Sequence, residues 1–174
     1  MKKALFLGIS ALLFSTVSLA SQEMVDALKP LTTKKYNMSI DRTKVRGSTA
    51  RQMLEDYAVR VKEFEEDYTV STRLSSEDFP DVDEGNSVVG LTKIVDVVGL
   101  IADAYYQSDE LSEAQMRSRK VEVRNLLFKV RDLGGRIGIE SDSWSACGVS
   151  FPGVIILDTN EKEVISISPA NTEC

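Results

Sequence analysis

The chain has 174 residues, 43% of them apolar and 28% charged, with 27 acidic against 21 basic residues and a formal net charge of -6. It has no histidine and only two cysteines, which excludes Ser-His-Asp and Cys-His nucleophile systems, imidazole acid/base chemistry, and zinc sites built on histidine or on four thiolates. Length and apolar content suffice for one domain with its own core.

Lys2 and Lys3 precede an apolar run from Ala4 to Phe14 interrupted only by Gly8 and Ser10, and Ser18-Leu19-Ala20 ends it on small residues. This is the pattern of a secretory signal over residues 1–20, with cleavage expected after Ala20. The uncharged stretch is diluted by Gly, Ser and Thr, and no cysteine follows to carry a lipid, so no stable membrane anchor is expected after processing. The expected location is the periplasm or the medium. Processing removes two lysines and leaves the protein more acidic still, which disfavours nucleic acid as a partner.

Residues 21–46 carry scattered apolar positions, Met24, Val25, Leu28 and Leu31, before Pro30 and a Thr/Lys-rich stretch. They read as a helical turn followed by an extended N-terminal arm. Lys34, Lys35, Arg42, Lys44, Arg46 and Arg51 make the arm basic, which is the pattern of a solvated face. A single α+β domain is then expected over 47–174. Thr49 and Gln52 have capping-box spacing, and Ala50, Leu54, Tyr57, Val61, Phe64 and Tyr68 fall on one helical face, predicting a helix over 48–70.

Residues 75–87 hold Pro80, Gly85 and a run of acids. They read as an exposed loop in which Asp81, Asp83 and Glu84 are candidates for contact with a partner protein of basic surface. A calcium-loop reading fails on register, because the positions counted from Asp81 put Gly85, Asn86 and Thr92 where such a loop needs Asp or Asn, Gly and Glu. From Val88 the apolar residues wrap most of a helical circumference, predicting a central helix over 88–107 with Lys93, Asp96 and Asp103 on its wet strip. Ser112 and Gln115 open a third helix over 111–133, closed by Gly134-Gly135. Its inner stripe is Met116, Val123, Leu127 and Val130, and its basic residues are expected to pair with the acidic helix at 48–70.

After Gly135 the period falls to two. Arg136 to Glu140, Ser145 to Phe151, Gly153 to Asp158 and Val164 to Ser168 alternate like strands within 136–168, with Ile165 and Ile167 on one face and Ser166 and Ser168 on the other. In an exported domain, two cysteines are expected to pair, and Cys147 with Cys174 is the forced intramolecular disulfide. The expected fold class is therefore α+β: an N-terminal three-helix bundle-like part followed by a small C-terminal antiparallel sheet closed by that disulfide.

The segment from Pro152 to Ser166 resembles the Pro-initiated hairpin of thioredoxin-like proteins, although the Cys-x-x-Cys pair that carries their activity is absent. It also resembles the hairpin that extracytoplasmic Cache (PAS-like) sensor domains place after a helix such as Leu111 to Val130. The second resemblance implies a small-ligand sensor.

No phosphate loop, G-x-S-x-G or G-x-G-x-x-G occurs, so no enzyme, cofactor or metal is expected. Export, acidity and the absence of a catalytic motif point first to a non-catalytic binding protein that engages another protein, such as an inhibitor or immunity factor. The alternatives are a ligand sensor or carrier, with Tyr105, Tyr106 and Trp144 lining its pocket, and an envelope assembly factor.

Overall fold

In the computed structural model, residues 19–62, 68–74, 87–103, 111–146 and 149–170 are described. Helices and strands are interspersed along them from end to end: α1 (Leu19–Leu28), a 3-10 turn (Lys29–Thr32), β1 (Met38–Lys44), α2 (Ala50–Val61), β2 (Tyr68–Ser71), β3 (Ser87–Leu91), α3 (Ile94–Ala102), α4 (Glu113–Asp132), β4 (Arg136–Ala146), β5 (Val149–Asp158) and β6 (Glu163–Pro169). The six strands form one sheet in the order β1-β6-β5-β4-β3-β2. Every pairing is antiparallel except β2 with β3.

β5 shows how the sheet is held. Val154 and Ile156 point into a core made with α1, α3 and α4, where they meet Met24, Leu28, Val97, Ile101, Val123 and Leu127. Ile155 and Leu157 point the other way, into a core with Met53, Leu54 and Tyr57 of α2. A strand covered on both faces must be apolar at consecutive positions, which is why Val-Ile-Ile-Leu runs unbroken. α4 lies between α1 and α3 on the first face, and α2 stands alone on the second.

Local chemistry sets the helix ends. Thr49 Oγ1 accepts the Gln52 N–H at 3.2 Å while Gln52 Oε1 accepts the Thr49 N–H, and Ser112 and Gln115 repeat the arrangement at the start of α4. α4 stops where Gly134 takes φ +94° and Gly135 N–H returns to the Val130 carbonyl at 3.0 Å, a left-handed cap that glycine adopts without a Cβ penalty.

The expectation of an N-terminal three-helix bundle before a small antiparallel sheet is overturned. The helices are spread over both faces of a mixed sheet whose strands come from the whole chain. Three causes can be named. The apolar run expected as one helix over 88–107 divides at Thr92-Lys93 into β3 and α3, because a short β-branched run suits a buried strand as well as a buried helix. The expected helix at 48–70 ends at Val61, and Tyr68 belongs to β2. The expected arm is structural: α1 buries Met24, Ala27 and Leu28, and β1 pairs along its length with β6.

The charges follow the new architecture. α2 and α4 lie on opposite faces, and among the described residues no ion pair joins them. Arg51 instead bonds Glu55 within α2, Lys120 bonds Asp103 next to α3, and Lys35 bonds Glu122 of α4. Arg119, one of the basic residues expected to pair with the helix at 48–70, is buried against the Tyr36 ring with its guanidinium carbon 4.7 Å from the ring centre. Cys147 and Cys174 lie outside the described residues, among which no disulfide closes the sheet; one edge is instead formed by β1 hydrogen-bonded to β6.

Candidate functional site

On its α2 side the sheet changes chemistry along the strands. Near the β5–β6 turn it presents Leu157, Val164 and Ile155, and the N-terminal half of α2 seals these with Ala50, Met53 and Leu54. Farther from that turn the same face presents Ser166 and Ser168 of β6, Asp41 of β1, which pairs with Ser166, and Glu140 of β4. The C-terminal half of α2 passes over them with Tyr57, Arg60 and Val61, and Tyr68 of β2 closes the far side. Between helix and sheet lies a polar cleft of about 420 Å³.

A bulge in β4 supplies the remaining wall. Glu140 pairs with Gly153 and Trp144 with Phe151, so Ser141, Asp142 and Ser143 together oppose Pro152 alone. Asp142 takes φ +49°, a left-handed conformation that Asp tolerates better than most side chains. The bulge is tied to β3: Val88 N–H donates to Ser141 Oγ at 2.6 Å, and Ser87 Oγ donates to Asp142 Oδ2 at 2.5 Å. It also needs Gly153, where a Cβ would collide with Ser143 Oγ and lie 2.5 Å from Ser143 Cβ. Bulges of this kind re-aim side chains, and here Asp142 and Ser143 are turned into the cleft.

Glu140 is the centre of the site. It is 5% exposed, and Tyr57 Oη donates to its Oε2 at 3.2 Å. Burial pushes its carboxyl above the usual range; hydrogen bonds from Tyr57, Ser143 and Tyr68 oppose the shift, and the charge of Asp142 adds to it. The Tyr57 phenol is itself raised, by burial first and then by the charge and hydrogen bond of Glu140. A carboxylate whose hydrogen-bond partners are all uncharged is costly to bury. The cation of the cleft, Arg60, is held at its rim, where Nε donates to Asp56 Oδ2 at 3.1 Å, an oxygen that also accepts the Arg46 N–H at 2.8 Å. One of five guanidinium donors is thus committed to Asp56.

Hydroxyl, phenol and carboxylate groups converge here. The arrangement can accept hydrogen bonds at Glu140 and Asp142 and donate them from the serines and Arg60. Among the described residues no group of three or more acidic or cysteine side chains is placed to hold a metal ion, and no helix is long and apolar enough to cross a membrane.

Of the residues expected from sequence to contact a partner or line a pocket, Trp144 is described. Asp81, Asp83, Glu84, Tyr105 and Tyr106 fall outside the described residues. Trp144 does not line the cleft; it stacks on Phe151 at 4.4 Å between ring centres, and its Nε1 donates to the Pro152 carbonyl at 3.2 Å. The cleft residues carried weaker signals. Tyr57 is part of the predicted helical stripe, and Ser166 and Ser168 were visible as the polar face of a strand. Glu140 at the end of an alternating run gave no sign of burial, and the bulge gave none at all.

Compared with family models, with curated proteins and with solved structures, the chain finds no match.

Proposed function

We propose that the chain is an exported, non-catalytic binding protein that holds a small polar molecule in the cleft between α2 and the sheet. One observation carries the reading: Glu140 is buried among uncharged donors and faces a cavity of about 420 Å³ that also offers Asp142, Ser143 and Ser166. That volume lies within the range of small-molecule sites, and convergent polar groups with a displaced pKa are their usual mark. A ligand that donates hydrogen bonds to Glu140 and Asp142 offsets the desolvation of the carboxylate. Export rests on the N-terminal pattern of Lys2, Lys3, the apolar run and Ala20.

The reading rests on the cleft; the acidic segment with Asp81, Asp83 and Glu84 lies outside the described residues.

The test is a thermal-shift screen of the processed protein against polyols, amines and amino acids, followed by calorimetric titration of the hits. Ligands that raise the melting temperature of the parent protein should leave Glu140→Gln and Ser166→Ala unmoved, while both variants keep the parent's circular dichroism. A flat screen, or hits that bind both variants as well as the parent, rejects the cleft. N-terminal sequencing of protein from a periplasmic extract should begin at Ser21; an intact leader in the cytoplasm rejects export.

A further inference from the structure

A second cavity, of about 460 Å³, lies on the opposite face of the sheet, where the start of α3, the last turns of α4 and the start of β4 converge. Its chemistry is the reverse of the cleft's. Ile94 and Ile137 form a buried apolar floor, Phe128 of α4 forms one wall, and Val95, 65% exposed, forms the other. Val95 extends the apolar surface of the floor to the mouth of the trough.

The rim identifies what fits. Lys93, Arg131 and Arg136 surround the opening, all exposed. Arg131 lies over the Phe128 ring, its guanidinium carbon 4.7 Å from the ring centre, and also bonds Asp132 at 2.9 Å. That pair is at the surface, where it is worth little and leaves the guanidinium available. Asp96 is the other nearby acid, and its Oδ2 accepts the Thr92 hydroxyl at 3.4 Å. In a chain of net charge -6, three cations around one apolar trough are a local reversal of sign, and such a reversal selects an anionic ligand.

We propose that this trough binds a small amphipathic carboxylate, its hydrocarbon body on Ile94, Phe128 and Ile137 and its head group among Lys93, Arg131 and Arg136. The site is separate from the cleft and does not depend on it.

The experiment is calorimetric titration of the full processed protein at low ionic strength with three ten-carbon probes kept below micelle formation: decanoate, decanol and decylammonium. Decanoate should bind, decanol roughly fivefold or more weakly, and decylammonium weakest, with decanoate affinity falling as salt is added. Arg136→Glu should weaken decanoate roughly fivefold or more, and Val95→Glu should abolish binding. Both positions are exposed, so melting temperatures should stay near the parent's; Glu140→Gln, which removes the buried carboxylate of the cleft, should bind decanoate like the parent. Equal affinity for decanoate and decylammonium, no binding of decanoate, or parent affinity in Arg136→Glu overturns the proposal. Binding only to anionic lipid vesicles and not to decanoate overturns it as well, in favour of a membrane-surface role.

Discussion

Glu163 and Glu140 are both buried glutamates, 4% and 5% exposed, on opposite faces of one sheet, and the protein treats them in opposite ways. Burial alone would raise the Glu163 carboxyl, but Lys44, Ser21 and Arg42 outweigh it and hold it at about 2. Arg42 Nη2 and Lys44 Nζ reach its two oxygens at 2.5 and 2.6 Å, and Ser21 of α1 donates a further hydrogen bond. Glu140 has phenol and hydroxyl partners only and is raised. The first carboxylate fastens β1, β6 and α1 together. The second is left without a cation and faces a cleft, an arrangement that serves binding better than stability.

Four outcomes would break or sharpen this contrast. The largest is expected from Leu127→Ala, fully buried on the three-helix face, which should lose about 3 kcal/mol in urea unfolding through the lost burial and the cavity left behind. Gly153→Ala should cost about 2 kcal/mol through its collision with Ser143, and should also weaken ligand binding in the cleft by displacing the bulge. If it does neither, the bulge is not held by Gly153.

Glu163→Gln should lose on the order of 2 kcal/mol at neutral pH, discounted from the full shift because Arg42 and Lys44 are partly exposed. Folding lowers the Glu163 pKa from 4.5 to about 2, so its contribution is complete above about pH 4.5 and disappears as pH falls toward 2. The parent should therefore lose its advantage over the variant across that window, as followed by thermal melts at a series of pH values.

The smallest stability effect belongs to Glu140→Gln, within about 1 kcal/mol of the parent. Its sign is the opposite. Folding raises the Glu140 pKa above 4.5, so ionisation is resisted in the native state and stability falls as pH rises through that range. Glutamine cannot ionise, and the variant should gain on the parent as the pH is raised. A variant that instead loses stability steadily with rising pH would mean that Glu140 is fastened like Glu163.

The two capping boxes were plain in the sequence, since each needs only residues three apart. So was the β5–β6 hairpin, whose turn is organised by Asp158 Oδ1 accepting the N–H groups of Asn160 and Glu161 at 2.9 and 3.2 Å. β1 was not: Met-Ser-Ile-Asp-Arg-Thr-Lys alternates too weakly to mark a strand, and its conformation comes from partners on β6 more than a hundred residues away. β3 was mistaken for helix because burial on both sides erases the period that distinguishes the two. The cleft was missed for a related reason, as it draws side chains from β1, α2, β2, β4 and β6, and no local pattern records their meeting.

By itself, the sequence determined the local terms: an acidic chain without histidine, two capped helices, a glycine stop after α4, and a hairpin whose second strand alternates isoleucine and serine. These depend on neighbours within a few residues, so local chemistry is enough to state them. Tertiary structure decided where those faces point. Only long-range pairing places Ser166, Asp41 and Glu140 side by side beneath the second half of α2, gives Glu163 its two cations and leaves Glu140 none. The energy of a buried charge depends on what surrounds it in space, and that is why two glutamates alike in sequence have different roles in this protein.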